Sequence, residues 1–201
     1  MKLLASLLTA AAVAVPALPA LAAPDLAKGQ ATYEGVCVAC HGEAGKSVLA
    51  ENPVLAQQHP EYLVKQLREF KSDKRANAIM KGFSSMLTDE DMVNVAAWLA
   101  QQKATPGVAT NKDLVALGER IFRGGIQDRN IAACAGCHSP NGAGIPAQYP
   151  RLSGQHAQYT ATQLKAFRDG SRANNQQMMD VAAKLNDKEI QAVSDYIAGL
   201  R

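Results

Sequence analysis

"GVCVACHGEAG", residues 35–45, sets two cysteines three apart with a histidine directly after the second. "AACAGCHSPNG", residues 132–142, repeats the arrangement 97 residues later. These stretches hold all four cysteines of the chain, Cys37, Cys40, Cys134 and Cys137. A disulfide within either pair would close only a very small loop, and a cross-link between the copies has no need of a histidine after each pair. A shared zinc site would need both pairs drawn to one point, whereas each copy carries its own histidine. A thioredoxin-type dithiol needs a strand-to-helix context, which the helical pattern described below lacks. Covalent attachment of haem c is the reading that uses every residue of the motif. Two thiols on one helical turn reach the two vinyl groups of one haem. The following residue is directed beneath the iron, so His41 and His138 become proximal ligands. Two covalently bound haem c groups are expected.

The repeat extends well beyond the cysteines. Pro53, Leu55, Gln58, His59 and Tyr62 return as Pro150, Leu152, Gln155, His156 and Tyr159, and "KQLREFKSDKRAN" (65–77) returns as "TQLKAFRDGSRAN" (162–174), all at a spacing of 97. Met80, Leu87 and Trp98 then pair with Met178, Leu185 and Tyr196 at 98, so the second copy gains one residue. Upstream, Gly29 and Tyr33 pair with Gly118 and Phe122 at 89, which places eight extra residues in the second copy, within "RGGIQDRN". Two domains are expected, at 23–104 and 112–201. The Pro- and Gly-containing segment "KATPGVATN" (103–111) joins them, with 105–111 as the linker proper.

Each copy reads as helices separated by long loops. Thr88 with Asp91, and Asn186 with Glu189, are N-cap signals for a last helix. Met92, Val95, Ala96 and Leu99, then Ile190, Val193 and Ile197, give those helices one apolar stripe. A further helix is expected at 60–72 and again at 157–169. In the first helix of each copy a glycine precedes an aromatic by one turn, which suits a close helix crossing. No segment alternates as a strand, and the class is all-α.

Residues 1–22, "MKLLASLLTAAAVAVPALPALA", read as a secretory leader with cleavage after Ala22. That reading places the mature chain in a periplasm. With Lys2 removed, 20 basic side chains face 18 acidic ones, a balance that argues against nucleic acid as a partner. Aromatic residues make up only 5% of the chain, so two small domains would have thin cores unless a cofactor filled them.

The sixth iron ligand must lie elsewhere in the chain. Met80 and Met178 are the methionines that the repeat pairs, each seven residues before the leucine that precedes the last helix. Met86, Met92 and Met179 align with Lys184, Ile190 and Lys81 and have no such partner. His59 and His156 are the rival candidates, since both recur 18 residues beyond the proximal histidine, and they read equally as helix-start residues.

With "CVACH", "CAGCH", "IFRGG", "PRLSGQHAQY" and "MMDVAAKLNDKEIQAVSDYIAGL", the chain resembles the dihaem cytochrome c4 family over essentially its whole mature length. The resemblance implies two tandem class I cytochrome c domains related by a pseudo-twofold axis, with haem propionate edges toward the interface. It implies that the carbonyls of Pro53 and Pro150 accept from the proximal histidines. Gln57 stands where the second copy has Gly154, which puts the first copy's turn in question. The implied function is electron carriage in a periplasmic respiratory chain by low-spin His/Met haems. A bc1-type complex would be the donor and a cbb3- or aa3-type terminal oxidase the acceptor, with the carrier a monomer and peripheral membrane association left open. Against it stand a dihaem enzyme, such as a peroxidase or a thiosulfate- or tetrathionate-active dehydrogenase, and a permanently docked redox subunit. A filled sixth site leaves no open position for substrate, and no spare cysteine exists to act as a ligand.

Overall fold

In the computed structural model, which describes residues 23–201, helix α1 spans Leu26–Val36. It begins there because Asp25 accepts hydrogen bonds from the otherwise free N–H groups of Ala27 and Lys28. The N-terminal half continues with α2 (Val38–His41), α3 (Pro60–Lys71), α4 (Ala78–Ser85) and α5 (Asp89–Ala100). The C-terminal half repeats the order as α6 (Lys112–Gly124), α7 (Cys134–His138), α8 (Ala157–Asp169), α9 (Gln176–Ala182) and α10 (Asp187–Gly199). Among the described residues, β pairing is confined to two isolated bridges, so the fold is all-α as expected. The leader and its cleavage point lie outside the described residues. Among those described, no helix is long and apolar enough to cross a membrane.

Both expected caps form as full capping boxes, Thr88 with Asp91 on α5 and Asn186 with Glu189 on α10. The short helices α4 and α9 fall in segments that apolar periodicity does not mark. Each starts at an asparagine, Asn77 or Asn175, whose side chain accepts from the backbone N–H three residues on. In each half the first and last helices cross closely. A Cβ on Gly29 would lie 2.2 Å from the Asn94 carbonyl oxygen, and one on Gly118 would lie 2.1 Å from that of Ala192. The aromatics one turn on then stack beside the crossing, Tyr33 with Trp98 at 5.0 Å and Phe122 with Tyr196 at 5.6 Å.

Tyr33, Leu63, Val95, Ala96 and Leu99 form the buried core of the first half. The second core is larger, because Ile131, directly after the eight-residue insertion, joins Ile121, Phe122, Leu164, Leu185, Ile190, Val193, Ile197 and Leu200. The insertion is held by the Ile126–Ile131 bridge and by Arg129, which bonds the Lys184 carbonyl and the Glu189 carboxylate.

The halves meet through bonds that come in pairs at the repeat spacing. Gln58 donates to the Arg151 carbonyl (2.9 Å) and accepts from its N–H (2.8 Å). Gln155 does the same to Val54 (3.0 and 2.9 Å). Arg75 reaches Tyr159 and Gln163 of the second half, while Arg172 reaches Tyr62 and Gln66 of the first. Reciprocal contacts of this kind are what a twofold relation between the halves produces.

Candidate haem sites

Each C-x-x-C-H motif forms a single helical turn, α2 preceded by Cys37 and α7 starting at Cys134. That turn directs His41 and His138 inward, at 7% and 6% exposure. His41 Nδ1 lies 3.1 Å from the Pro53 carbonyl oxygen, and His138 Nδ1 lies 2.9 Å from that of Pro150. A carbonyl only accepts, so Nδ1 carries the proton and Nε2 presents its lone pair. Burial depresses the pKa of both imidazoles, although the proline carbonyls pull the other way. Each ring is therefore neutral at pH 7 with one nitrogen free, the form that ligates iron.

The loop that supplies each proline is tied back to the motif. Leu55 and Ala56 both donate to the Gly45 carbonyl, and Leu152 and Ser153 both donate to that of Gly142. The four thiols are unpaired. Burial pushes Cys37 and Cys134 up to about 11, so these are protonated thiols at neutral pH. Two thiols and a neutral imidazole on one turn suit a covalently held haem: the thiols can add to vinyl carbons while the imidazole binds iron.

Met80 and Met178 occupy the same place in the two halves, the third residue of α4 and of α9, each backbone N–H held by the capping asparagine at 2.9 Å. Both are half-buried, and Met178 packs against the second core. Of the other described methionines, Met92 is fully buried in α5, Met86 is 63% exposed, and Met179 is half-buried but has Lys81 at its equivalent position in the first half. His59 and His156 stand at the starts of α3 and α8, and each donates its Nε2–H across the interface. His59 reaches the Ala143 carbonyl at 2.9 Å, and His156 reaches that of Ser47 at 2.8 Å. Their recurrence reflects this docking role, and sequence reasoning missed it along with that of Gln58 and Gln155. The signal available was a set of polar residues repeated at 97, which marks symmetry without naming the partner.

A family model described as cytochrome c matches the chain twice, at residues 26–103 and 115–201, so the class is a tandem of two cytochrome c domains. The chain is 47% identical to cytochrome c4 of Thiocapsa roseopersicina over 180 residues, covering 88% of this chain and 93% of that one. The crystal structure of reduced recombinant cytochrome c4 from Pseudomonas stutzeri superposes with a TM-score of 0.84 at 42% identity, covering 89% of this chain and all of that one. A protein described as a thiosulfate dehydrogenase electron acceptor, from Stutzerimonas stutzeri, is 39% identical over 82% of this chain and 78% of its own length. The chain belongs to the cytochrome c4 family, dihaem electron-transfer cytochromes with two covalently bound haem c groups.

Proposed function

We propose that Cys37 and Cys40 anchor one haem and Cys134 and Cys137 the other. His41 with Met80, and His138 with Met178, are the axial pairs. The observation that carries this assignment is the matched proximal geometry, a buried neutral imidazole held through Nδ1 by a proline carbonyl in each half. Bound haem supplies one-electron iron chemistry. The protein's part is to orient the imidazoles, exclude water from beneath the iron, and present a thioether that raises the reduction potential.

The two domains, at 23–104 and 112–201 with 105–111 between them, act as a monomeric carrier exported to the periplasm with its leader cut after Ala22. The carrier takes electrons from a bc1-type complex and passes them to a cbb3- or aa3-type terminal oxidase. The relative described as an electron acceptor for thiosulfate dehydrogenase supports a second donor class, a sulfur-compound dehydrogenase, feeding the same carrier.

The assignment is tested by haem content and by the far-red methionine–iron charge-transfer band of the oxidised protein. Two haems per chain are expected in a pyridine haemochrome assay. Met80→Ala and Met178→Ala should each remove about half the band, whereas Met86→Ala and Met179→Ala should leave it unchanged. Loss of the low-spin spectrum on His59→Ala and His156→Ala would instead make the haems bis-histidine.

A further inference from the structure

The segment leading into each methionine-bearing helix is anchored by the other half of the molecule. In the first half it consists of Arg75, Ala76 and Asn77, and in the second of Arg172, Ala173, Asn174 and Asn175. Asn77 and Asn175 cap α4 and α9, and Met80 and Met178 stand three residues beyond them. The extra residue of the second copy therefore divides two roles. Asn175 caps the helix, and Asn174 is left to reach across.

Asn174 is buried, and its side-chain amide donates to the Glu69 carboxylate at 2.6 Å and to the Gln66 side-chain oxygen at 3.1 Å. Its backbone carbonyl accepts from Lys65 at 3.3 Å. All three partners lie on α3 of the first half. Two residues earlier, Arg172 donates to Tyr62 and Gln66 of the same helix. With seven residues, α9 is too short to hold its own place in water. Its capping turn sets where Met178 stands, and that turn follows directly on a residue pinned by the other half. The first half has a looser version. Arg75 donates to Tyr159 and Gln163 of α8, but it stands two residues before its cap, and Asn77 is exposed.

We propose that the first half positions the axial methionine of the second, with the Asn174–Glu69 bond as the tie. The hold of Met178 on iron then depends on the opposite half more than that of Met80 does. The inference rests on the axial assignment proposed above. A thioether is a neutral ligand, so its hold on iron relies on being presented in place rather than on charge. Asn174 and Glu69 are positioning residues. They act through the capping turn of α9.

The test is competition by imidazole, whose affinity for the oxidised full-length holoprotein reports how firmly each thioether is held. Loss of the far-red band is followed in two parents, Met80→Ala, where Met178 alone gives the band, and Met178→Ala, where Met80 alone does. Glu69→Ala should tighten imidazole binding against Met178 by about fivefold, the effect of one lost buried hydrogen bond. It should leave binding against Met80 unchanged, although Glu69 and Met80 share a half. Glu69→Gln keeps an acceptor for Asn174 and should stay close to the parent. Asn174→Ala should act as Glu69→Ala does, and it decides the matter should Glu69→Ala fail to take up haem. Tyr159→Phe, which takes one acceptor from Arg75, should shift binding against Met80 by less than fivefold. The proposal is overturned if the alanine variants leave binding against Met178 unchanged or shift both methionines equally. It is also overturned if Glu69→Gln behaves as alanine does, or if Tyr159→Phe has the larger effect. Failure of the axial assignment is distinguishable, because neither parent would then lose half of the wild-type band.

Discussion

In the first half, Tyr33 donates its hydroxyl to the Gly42 carbonyl at 2.5 Å and accepts from the Gly45 N–H at 2.9 Å, bracing the turn that follows His41. Burial raises that hydroxyl to about 12, against the Gly45 bond, so it remains a donor at any ordinary pH. The second half has Phe122 in that place and cannot make either bond. There Ser139 donates to the Gly144 carbonyl at 2.8 Å, while Asn141 accepts from the Ala143 N–H. The backbone is left-handed at both Gly42 (φ 72°) and Ser139 (φ 69°), so the second half has a side chain where glycine is the unstrained choice. One proximal geometry thus tolerates two bracing schemes, provided the histidine-to-proline bond is kept. The bracing of the turn differs between the halves, and the histidine-to-proline bond does not.

The helix crossing is the feature the halves share most closely, and breaking it should have the largest effect. Gly29→Ala or Gly118→Ala drives a methyl group into a backbone carbonyl, which no side-chain rotation relieves. Each should cost about 3 kcal/mol or more of its own half's stability by denaturant titration. The first half, with the smaller core, should lose its folded state at lower denaturant than the second. Equal midpoints for the two variants would show that Ile131 and the insertion add nothing.

Next in size is the interface. Arg172 bonds Asn174, Gln163, Tyr62 and Gln66, whereas Arg75 bonds Gln66, Tyr159 and Gln163. Removing either guanidinium strands buried oxygens, at about 2 kcal/mol. Arg172→Ala should weaken docking more than Arg75→Ala, because it also releases Asn174. Calorimetry should show the single unfolding transition dividing into two, and proteolysis within 103–111 should quicken in the same order.

Much of this was legible from residue pattern alone. The C-x-x-C-H spacing, the glycine one turn before an aromatic, and the Thr88–Asp91 and Asn186–Glu189 caps are local signals whose partners lie within a few residues, and each appears where expected. The docking roles of His59, His156, Gln58 and Gln155 were not legible, because a contact between two halves has no sequence period of its own. The shift from 97 to 98 was visible as a register change. Only the structure shows that the added residue, Asn174, is buried and reaches across to Gln66 and Glu69 of the first half. α4 and α9 escaped for another reason: at eight and seven residues they are too short for a convincing apolar stripe.

Gln57 offers a smaller test of the same comparison. It adopts φ 61° where Gly154 adopts 75°, and both N–H groups bond the last helix of their half, at Leu99 and Ile197. The first half therefore makes the same turn with a strained residue. Gln57→Gly should stabilise it by about 0.5–1 kcal/mol, the relief of left-handed strain less the greater freedom of glycine when unfolded. Ser139→Gly should gain less, since it gives up a 2.8 Å bond to the Gly144 carbonyl, whereas Gln57→Gly loses only a 3.4 Å bond from the Ala104 N–H. Thermal melts of the two variants against wild type check the order.

The smallest expected effect concerns Glu69, a buried carboxylate in the first half whose counterpart in the second is Ala166. Burial alone would raise its pKa. The bonds from Lys65 (2.7 Å) and Asn174 (2.6 Å), with the charges of Lys65 and Lys74, outweigh burial and hold it below the ordinary carboxylate range. A group whose pKa is lower folded than unfolded stabilises the folded form above its unfolded value, near 4.3, and loses that contribution as pH falls through the lower folded value. Both lysines are largely exposed, so screening limits the contribution to about 0.5 kcal/mol. Lys65 and Lys74 belong to the same half as Glu69, and Asn174 to the other, so the loss should appear both in the first half's own stability and in docking. Wild type and Glu69→Gln, compared by calorimetry from pH 6 to 3, should converge in unfolding temperature as the pH drops, with wild type the more stable at pH 6. A constant difference between them across that range would mean that Glu69 stays ionised throughout, or that its charge contributes nothing to stability.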